Sequence, residues 1–225
     1  LCGNNGDLKE SHIVPRFVYQ WMRKTGGTYF RSTGEPQVRK QDGAKEYLLC
    51  GDCEQRFSSR EAYFKRNIFD AYHDHGKTSF AYDEKLFYFL TSISWRVLVK
   101  DMSDPGIVSH RYYKDLVLAE AEWRNFLLTE SLPSTFNETH LFLTDFPTGG
   151  VQPVKRMNLY FTRAVDGTIA SSNKLCAVYW KFSRFISFTA ITPFDQSLWI
   201  DTRINPSGGT LTVPQQMKDG ILGEF

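Results

Sequence analysis

Polar and apolar positions alternate over residues 7–14, the period of a short strand, and that strand carries His12 near its end. Pro15 follows, where a first helical turn tolerates a missing N–H. Phe17, Val18, Trp21 and Met22 then recur at helical spacing and predict an amphipathic helix that ends near Thr25, Gly26 and Gly27. Residues 28–44 are polar, hold Gly34, Pro36 and Gly43, and predict a loop or irregular hairpin. Residues 45–49 predict a second short strand that delivers Cys50 and Cys53. The segment from Asp52 to about Phe69 predicts a helix with Phe57, Tyr63, Phe64 and Ile68 turned inward.

The middle of the chain is helical in pattern. Asp83 to Lys100 shows a wide apolar stripe of Leu86, Phe87, Phe89, Leu90, Ile93, Val97 and Leu98, with Asp83 placed as an N-cap. Tyr112 to Leu128 continues with Leu116, Ala119, Trp123, Phe126 and Leu127. These stripes are core. Beyond Leu132, Pro133 and Ser134 the β-branched and aromatic residues dominate. Residues 140–144, 159–163, 175–182 and 185–189 predict strands, Asp166-Gly167 a turn, Leu198 to Ile204 one more strand, and residues 205–209 a loop. The count predicts an antiparallel sheet packed on the preceding helices. The fold class expected is therefore α+β, with an N-terminal zinc module, central helices and a C-terminal antiparallel sheet. The division expected is residues 1–69 for the module and 70–225 for a helical and sheet domain whose role the pattern does not reveal.

Composition narrows the class only modestly. The 225 residues are 41 % hydrophobic and 23 % charged, enough for one sizeable core or two modest ones, and the mean hydropathy is −0.38. No stretch approaches the roughly 20 continuous apolar residues of a membrane span, so no membrane partner is expected. The net charge of +2 is too small to announce a nucleic-acid partner, but its distribution is uneven. Residues 1–66 hold twelve Lys and Arg against eight Asp and Glu, whereas residues 67–225 hold fifteen against seventeen. A positive excess at the front suits a phosphate backbone; a solvated surface of mixed charge explains it equally.

Four cysteines change the picture. Cys50-x-x-Cys53 in a tight turn points two thiolates at one tetrahedral Zn²⁺, and Cys2 adds a third sulfur. The chain opens on Leu1, so the fourth thiolate is expected upstream, as Cys-x-x-Cys2, and more protein is expected after Phe225. No signal peptide is visible, and this cysteine usage fits a cytoplasmic zinc protein better than a secreted disulfide framework. Cys176 lies in an apolar run and is read as a small buried hydrophobe.

The order of strand with His, loop, strand, Cys-x-x-Cys and helix resembles the HNH endonuclease family of treble-clef, ββα-metal proteins, over roughly residues 1–66. Cys2, Cys50 and Cys53 match three of that family's structural zinc ligands. His12 and Pro15 in Ser11-His12-Ile13-Val14-Pro15 match its catalytic strand. The resemblance implies that His12 is the general base that activates water against a phosphodiester, with one Mg²⁺ or Mn²⁺ at the leaving oxygen. It implies a DNA substrate and a place in bacterial defence.

Three positions depart from the pattern: Ser11 stands at the acidic metal ligand, Lys45 near the orienting Asn, and Glu54 at the final His. Glu54 is a sound hard ligand for the catalytic ion, with Glu10 or Glu46 to assist. It is equally a first-turn acid favoured by the helix dipole. His12 has structural alternatives too, as a core histidine or as the fourth zinc ligand.

The rival function is a non-enzymatic zinc protein, a binding or adaptor subunit with a protein partner or a second copy of itself. In the C-terminal half, Tyr160, Tyr179, Trp180, Phe182, Phe185 and Phe188 interleave with Arg163, Lys181 and Arg184. They form either core or a stacking platform for single strands. His73-Asp74-His75 is placed in a solvated loop, and Glu120, Glu122 and Asp145 at the surface.

Overall fold

The computed structural model describes residues 1–3, 7–27, 30–32, 35–40, 42–143, 161–193 and 200–212. Strand β1 (Lys9–His12) pairs antiparallel with β4 (Lys45–Leu49), His12 facing Lys45 and Lys9 facing Leu49. Between them run helix α1 (Arg16–Thr25) and the hairpin of β2 (Phe30–Ser32) and β3 (Glu35–Lys40). Phe17, Val18 and Met22 of α1 are buried, as its spacing predicts. Cys50 precedes α2 (Gly51–Phe64), which runs through a wider π-type turn over Lys65–Phe69 into the short α3 (Asp70–His73). The helical run thus outlasts the expected end at Phe69 by one turn.

Helix α4 (Glu84–Met102) is the centre of the molecule, buried continuously from Leu86 to Leu98. A helix apolar on all sides is a buried one. Asp83 caps it: its Oδ1 accepts the Lys85 N–H at 3.0 Å. Helix α5 (Tyr113–Thr129) lies against α4, with Leu116, Ala119, Trp123, Phe126 and Leu127 all buried.

The sheet has the order β6 (Thr139–Leu143), β9 (Phe185–Ala190), β8 (Cys176–Phe182), β7 (Asp166–Ser171), all antiparallel. Ser183 and Arg184, at φ 43° and 75°, make the two-residue turn between β8 and β9. Three sequence expectations fail here. Asp166-Gly167 opens β7 instead of turning. A Cβ on Gly167 would come within 2.9 Å of Val97 Cγ2, so the glycine serves the close approach of β7 to α4. Residues 161–163 are helical rather than extended; Arg163 donates to the Met22 and Thr25 carbonyls at 3.1 and 2.7 Å and so satisfies the free end of α1. Ile200–Thr202 is a 3₁₀ turn, and only Arg203 bridges to His140 of β6. A further pair joins β5 (Ser79–Tyr82) with β10 (Gly209–Thr212), two segments for which the sequence pattern predicts no strand. Thr144, Asp145, Leu159, Tyr160 and Leu198 lie outside the described residues.

Aromatic packing joins the front to the sheet. Phe64 stacks on Phe89 at 4.1 Å and meets Phe17, Phe182 and Phe185. Trp180, Phe182, Phe185 and Phe188 are at most 2 % exposed, so these rings are core and cannot stack on bases. Lys181 is buried with them, its ammonium donating to the Ala164 carbonyl at 3.0 Å. Burial pulls that ammonium down to about 8.

Candidate metal centre and histidine site

The β1–β4 pair carries one cluster at each end. At the Leu49 end, Cys2, Cys50 and Cys53 bring their Sγ atoms within 4.8 Å of one another, and Cys2 and Cys50 are 3.7 Å apart. Cys50 caps α2 and Cys53 lies in its first turn, so both are set by the strand-to-helix corner. All three are free thiols. The spacing is too wide for a disulfide and close to the ~3.8 Å between sulfurs that tetrahedral coordination at about 2.3 Å requires. The donor set therefore fits zinc, with three sulfurs supplied by the described residues. Burial, and then the neighbouring Cys50 and Cys2 thiols, push the Cys53 thiol up to about 11. Without a cation Cys53 keeps its proton; a cation would reverse that preference, and the positive end of α2 acts in the same direction.

At the other end, roughly 13 Å along the strands by their rise per residue, His12 Nε2 lies 2.9 Å from Asp42 Oδ1. The same oxygen accepts the Gly43 N–H at 3.0 Å, and Oδ2 pairs with Lys45 Nζ at 3.0 Å. Lys45 also reaches Glu10 Oε2 at 3.4 Å. Burial raises the Asp42 carboxyl, but the hydrogen bonds from His12, Lys45 and Gly43 outweigh it and hold the group at about 2. Asp42 is therefore an acceptor only, and the shared hydrogen must sit on His12 Nε2, which leaves Nδ1 as the nitrogen with a free lone pair. Tyr19 closes one side of this corner, its ring 6.0 Å from that of His12. Burial, and then the Asp42 charge, raise its phenol. A Cβ on Gly43 would lie 1.9 Å from the Tyr19 ring, so this position admits only glycine without rearrangement.

Arg96 of α4 supports His12 from behind. It is 2 % exposed, donates to the His12 carbonyl at 2.8 Å and to Ser92 O at 3.1 Å, and pairs with Glu61 of α2 at 3.0 Å. Neither Asp42 nor Arg96 was singled out by the sequence. A signal for Asp42 existed in Asp42-Gly43, a turn dipeptide at the mouth of a strand. Arg96 had none, because an arginine in an apolar stripe looks like a solvated interruption.

Glu54 lies in the first turn of α2, its N–H bonded to the Cys50 carbonyl, at the cysteine end of the module. Among the described residues, the cysteine trio is the one group of three or more His, Cys, Asp or Glu whose ligand atoms all lie within 4.8 Å of one another. Neither Glu54, Glu10 nor Glu46 completes such a group with His12.

His73, assigned to a solvated loop, instead packs its ring 4.2 Å from that of Trp21 and gives its Nε2–H to the Ser183 carbonyl at 3.1 Å. Glu120 accepts the Trp95 indole N–H at 3.0 Å, and Glu122 accepts from Thr135, so both acids serve the fold. Cys176 is buried, as expected, and burial pushes its thiol up to about 12. Among the described residues no helix is long and apolar enough to cross a membrane. No protein family, no curated protein and no solved structure matches the chain.

Proposed function

We propose that residues 1–69 form a treble-clef module stabilised by zinc on Cys2, Cys50 and Cys53, and that His12 is the general base of an HNH-type nuclease acting on DNA. The observation that carries this reading is the His12–Asp42 contact at 2.9 Å. An ionised carboxylate on Nε2 fixes the tautomer, holds the ring and stabilises the imidazolium that proton uptake would form. In the step proposed, water attacks phosphorus, its proton passes to His12 Nδ1, and the bond from phosphorus to the leaving sugar oxygen breaks, that oxygen taking a proton from solvent. Asp42 is the positioning residue.

The metal-dependent form of the reaction fits less well. A Mg²⁺ or Mn²⁺ seat needs several hard oxygens around one point, and Asp42 already engages both carboxylate oxygens with His12, Lys45 and the Gly43 N–H. The same observation favours the second reading, a zinc-stabilised binding or adaptor protein in which the His12–Asp42 pair only holds the corner.

Plasmid nicking by the full chain separates the two readings. Wild type is expected to nick, and His12→Ala to lose nicking by at least ~100-fold with zinc content unchanged. Asp42→Asn should retain zinc and lower the rate. Absence of nicking by wild type under every ion tried would reject the nuclease reading. A His12→Ala chain that loses its zinc would show that the corner held by His12 and Asp42 supports the fold of the module, which favours the second reading.

A further inference from the structure

We infer that α1 and the β2–β3 hairpin, the elements inserted between the two strands of the His12 site, form a phosphate-binding surface for duplex DNA. The inference rests on the DNA partner of the proposed function and not on its cleavage chemistry. The insertion leaves β1 just after His12 and returns to β4 through Asp42, and the contact between those two side chains at 2.9 Å closes its base. A partner bound by the insertion is therefore held beside that corner.

Charge is the first observation. Helix α1 and strands β2 and β3 hold six Lys and Arg, namely Arg16, Arg23, Lys24, Arg31, Arg39 and Lys40, against one acid, Glu35. The whole chain holds 27 against 25, so the remainder, at twenty-one against twenty-four, is acidic. The positive excess of the molecule thus lies in the insertion, and a polyanion is the partner that such asymmetry attracts. On α1, Arg16, Gln20 and Lys24 stand four residues apart on one face, all exposed, in a helix that has no acid. By helical spacing Tyr19 flanks that face, and its ring closes the His12 corner, so the basic face borders the corner.

Packing is the second observation. Strands β2 and β3 pair with each other, and among the described residues neither makes extensive contact with another element. A two-stranded hairpin with nothing to pack on is marginal in water, and Gln37, Val38 and Arg39 of β3 are exposed. The major groove of B-form DNA admits a two-stranded ribbon, whereas that of duplex RNA is too deep and narrow for side chains to read. Such a groove would cover the hairpin, and the phosphates along its edge would meet the cations of α1.

The test is fluorescence anisotropy of a labelled DNA duplex two helical turns long, titrated with the zinc-loaded full chain without added Mg²⁺ or Mn²⁺ at about 50 to 200 mM salt. Wild type is expected to bind with affinity that falls steeply with salt. Arg16→Gln/Lys24→Gln and Arg39→Gln/Lys40→Gln are each expected to weaken binding at least ~10-fold at the low-salt end and to flatten the log–log salt slope by about 2. Lys77→Gln/Lys174→Gln removes the same charge from exposed positions outside the insertion and is expected to leave the slope unchanged. Zinc content and thermal melting check each fold, and where a pair fails to fold, Arg16→Gln or Arg39→Gln alone replaces it with half the change in slope.

No binding by wild type, an equal loss in the control pair, or tighter binding of the matching RNA duplex would overturn the inference. Binding by wild type and His12→Ala with nicking by neither would uphold this surface and remove the nuclease. Nicking that both pairs of substitutions leave at the wild-type rate would overturn the surface and keep the nuclease.

Discussion

Lowering the pH should loosen this fold through His73, and by an amount the structure sets. Its ring lies against Trp21, Phe69 and Phe185, with ring centroids 4.2, 4.5 and 5.9 Å away. Desolvation in that aromatic corner, helped by the Arg184 charge, pulls His73 from 6.5 down to about 4, against the Ser183 hydrogen bond and the Asp74 and Asp70 charges. The folded pKa is depressed, so between these two values the unfolded chain binds more protons than the folded one, and stability falls as pH falls. The full effect is present above pH 6.5 and is progressively lost toward pH 4. From about pH 7.5 to about pH 4.5 the two pKa values give a loss of about 2.5 kcal/mol.

Urea unfolding across that range measures the loss, with His73→Phe as the reference. Phenylalanine keeps the ring packing, gives up the bond to the Ser183 carbonyl at a cost of about 1 kcal/mol, and cannot titrate. Carboxylates and thiols titrate alike in both proteins, so the difference between the two curves belongs to position 73. That difference should shrink on acidification and change sign below about pH 5.8. Parallel curves for wild type and variant would refute the reasoning.

Three other outcomes follow from the packing. Arg96→Met removes the guanidinium held by Glu61, His12 O and Ser92 O; it should cost about 3 kcal/mol in urea unfolding, with part recovered by a second change, Glu61→Gln. Phe64→Ala opens a fully buried site stacked on Phe89 at 4.1 Å and should cost about 4 kcal/mol by the same assay. Cys53→Ser should abolish zinc in metal analysis, and chelation should lower the thermal midpoint of wild type but not of the variant; a midpoint insensitive to chelator would reject the metal centre.

What the sequence made legible is what short-range pattern decides. The strand at Lys45–Leu49, the Asp83 cap and the inward faces of α1, α4 and α5 all rest on residues within a turn or two of each other. The cysteine trio was legible because Cys50-x-x-Cys53 is itself a local signal. Pairings across long separations were not. Strands β5 and β10 are four residues each, with partners about 130 positions apart in the chain, and such short segments carry too little alternation to declare themselves. Gly167 misled because a glycine needed for close approach to α4 has the same spelling as one needed for a turn. His12 was singled out by resemblance, but its partner Asp42 comes from the far side of the β2–β3 hairpin, and only the fold sets Oδ1 against Nε2.

Arg96 gives the reason to treat the two ends of the β1–β4 pair together. A buried guanidinium is a poor investment for stability alone, since apolar residues of similar volume often do as well. Its bonds here tie three elements at one point: the end of β1 through the His12 carbonyl, α2 through Glu61 and α4 through Ser92. Helix α2 begins at the cysteines and β4 ends at them, so under the proposed zinc reading metal at one end of the strands and Arg96 at the other jointly fix where β1 lies. A one-residue slip of β1 against β4 would turn His12 to the opposite face and break its contacts with Asp42 and the side shared with Lys45. Under that reading the cysteine centre need not touch the histidine site to govern it, because it would hold the register on which that site depends.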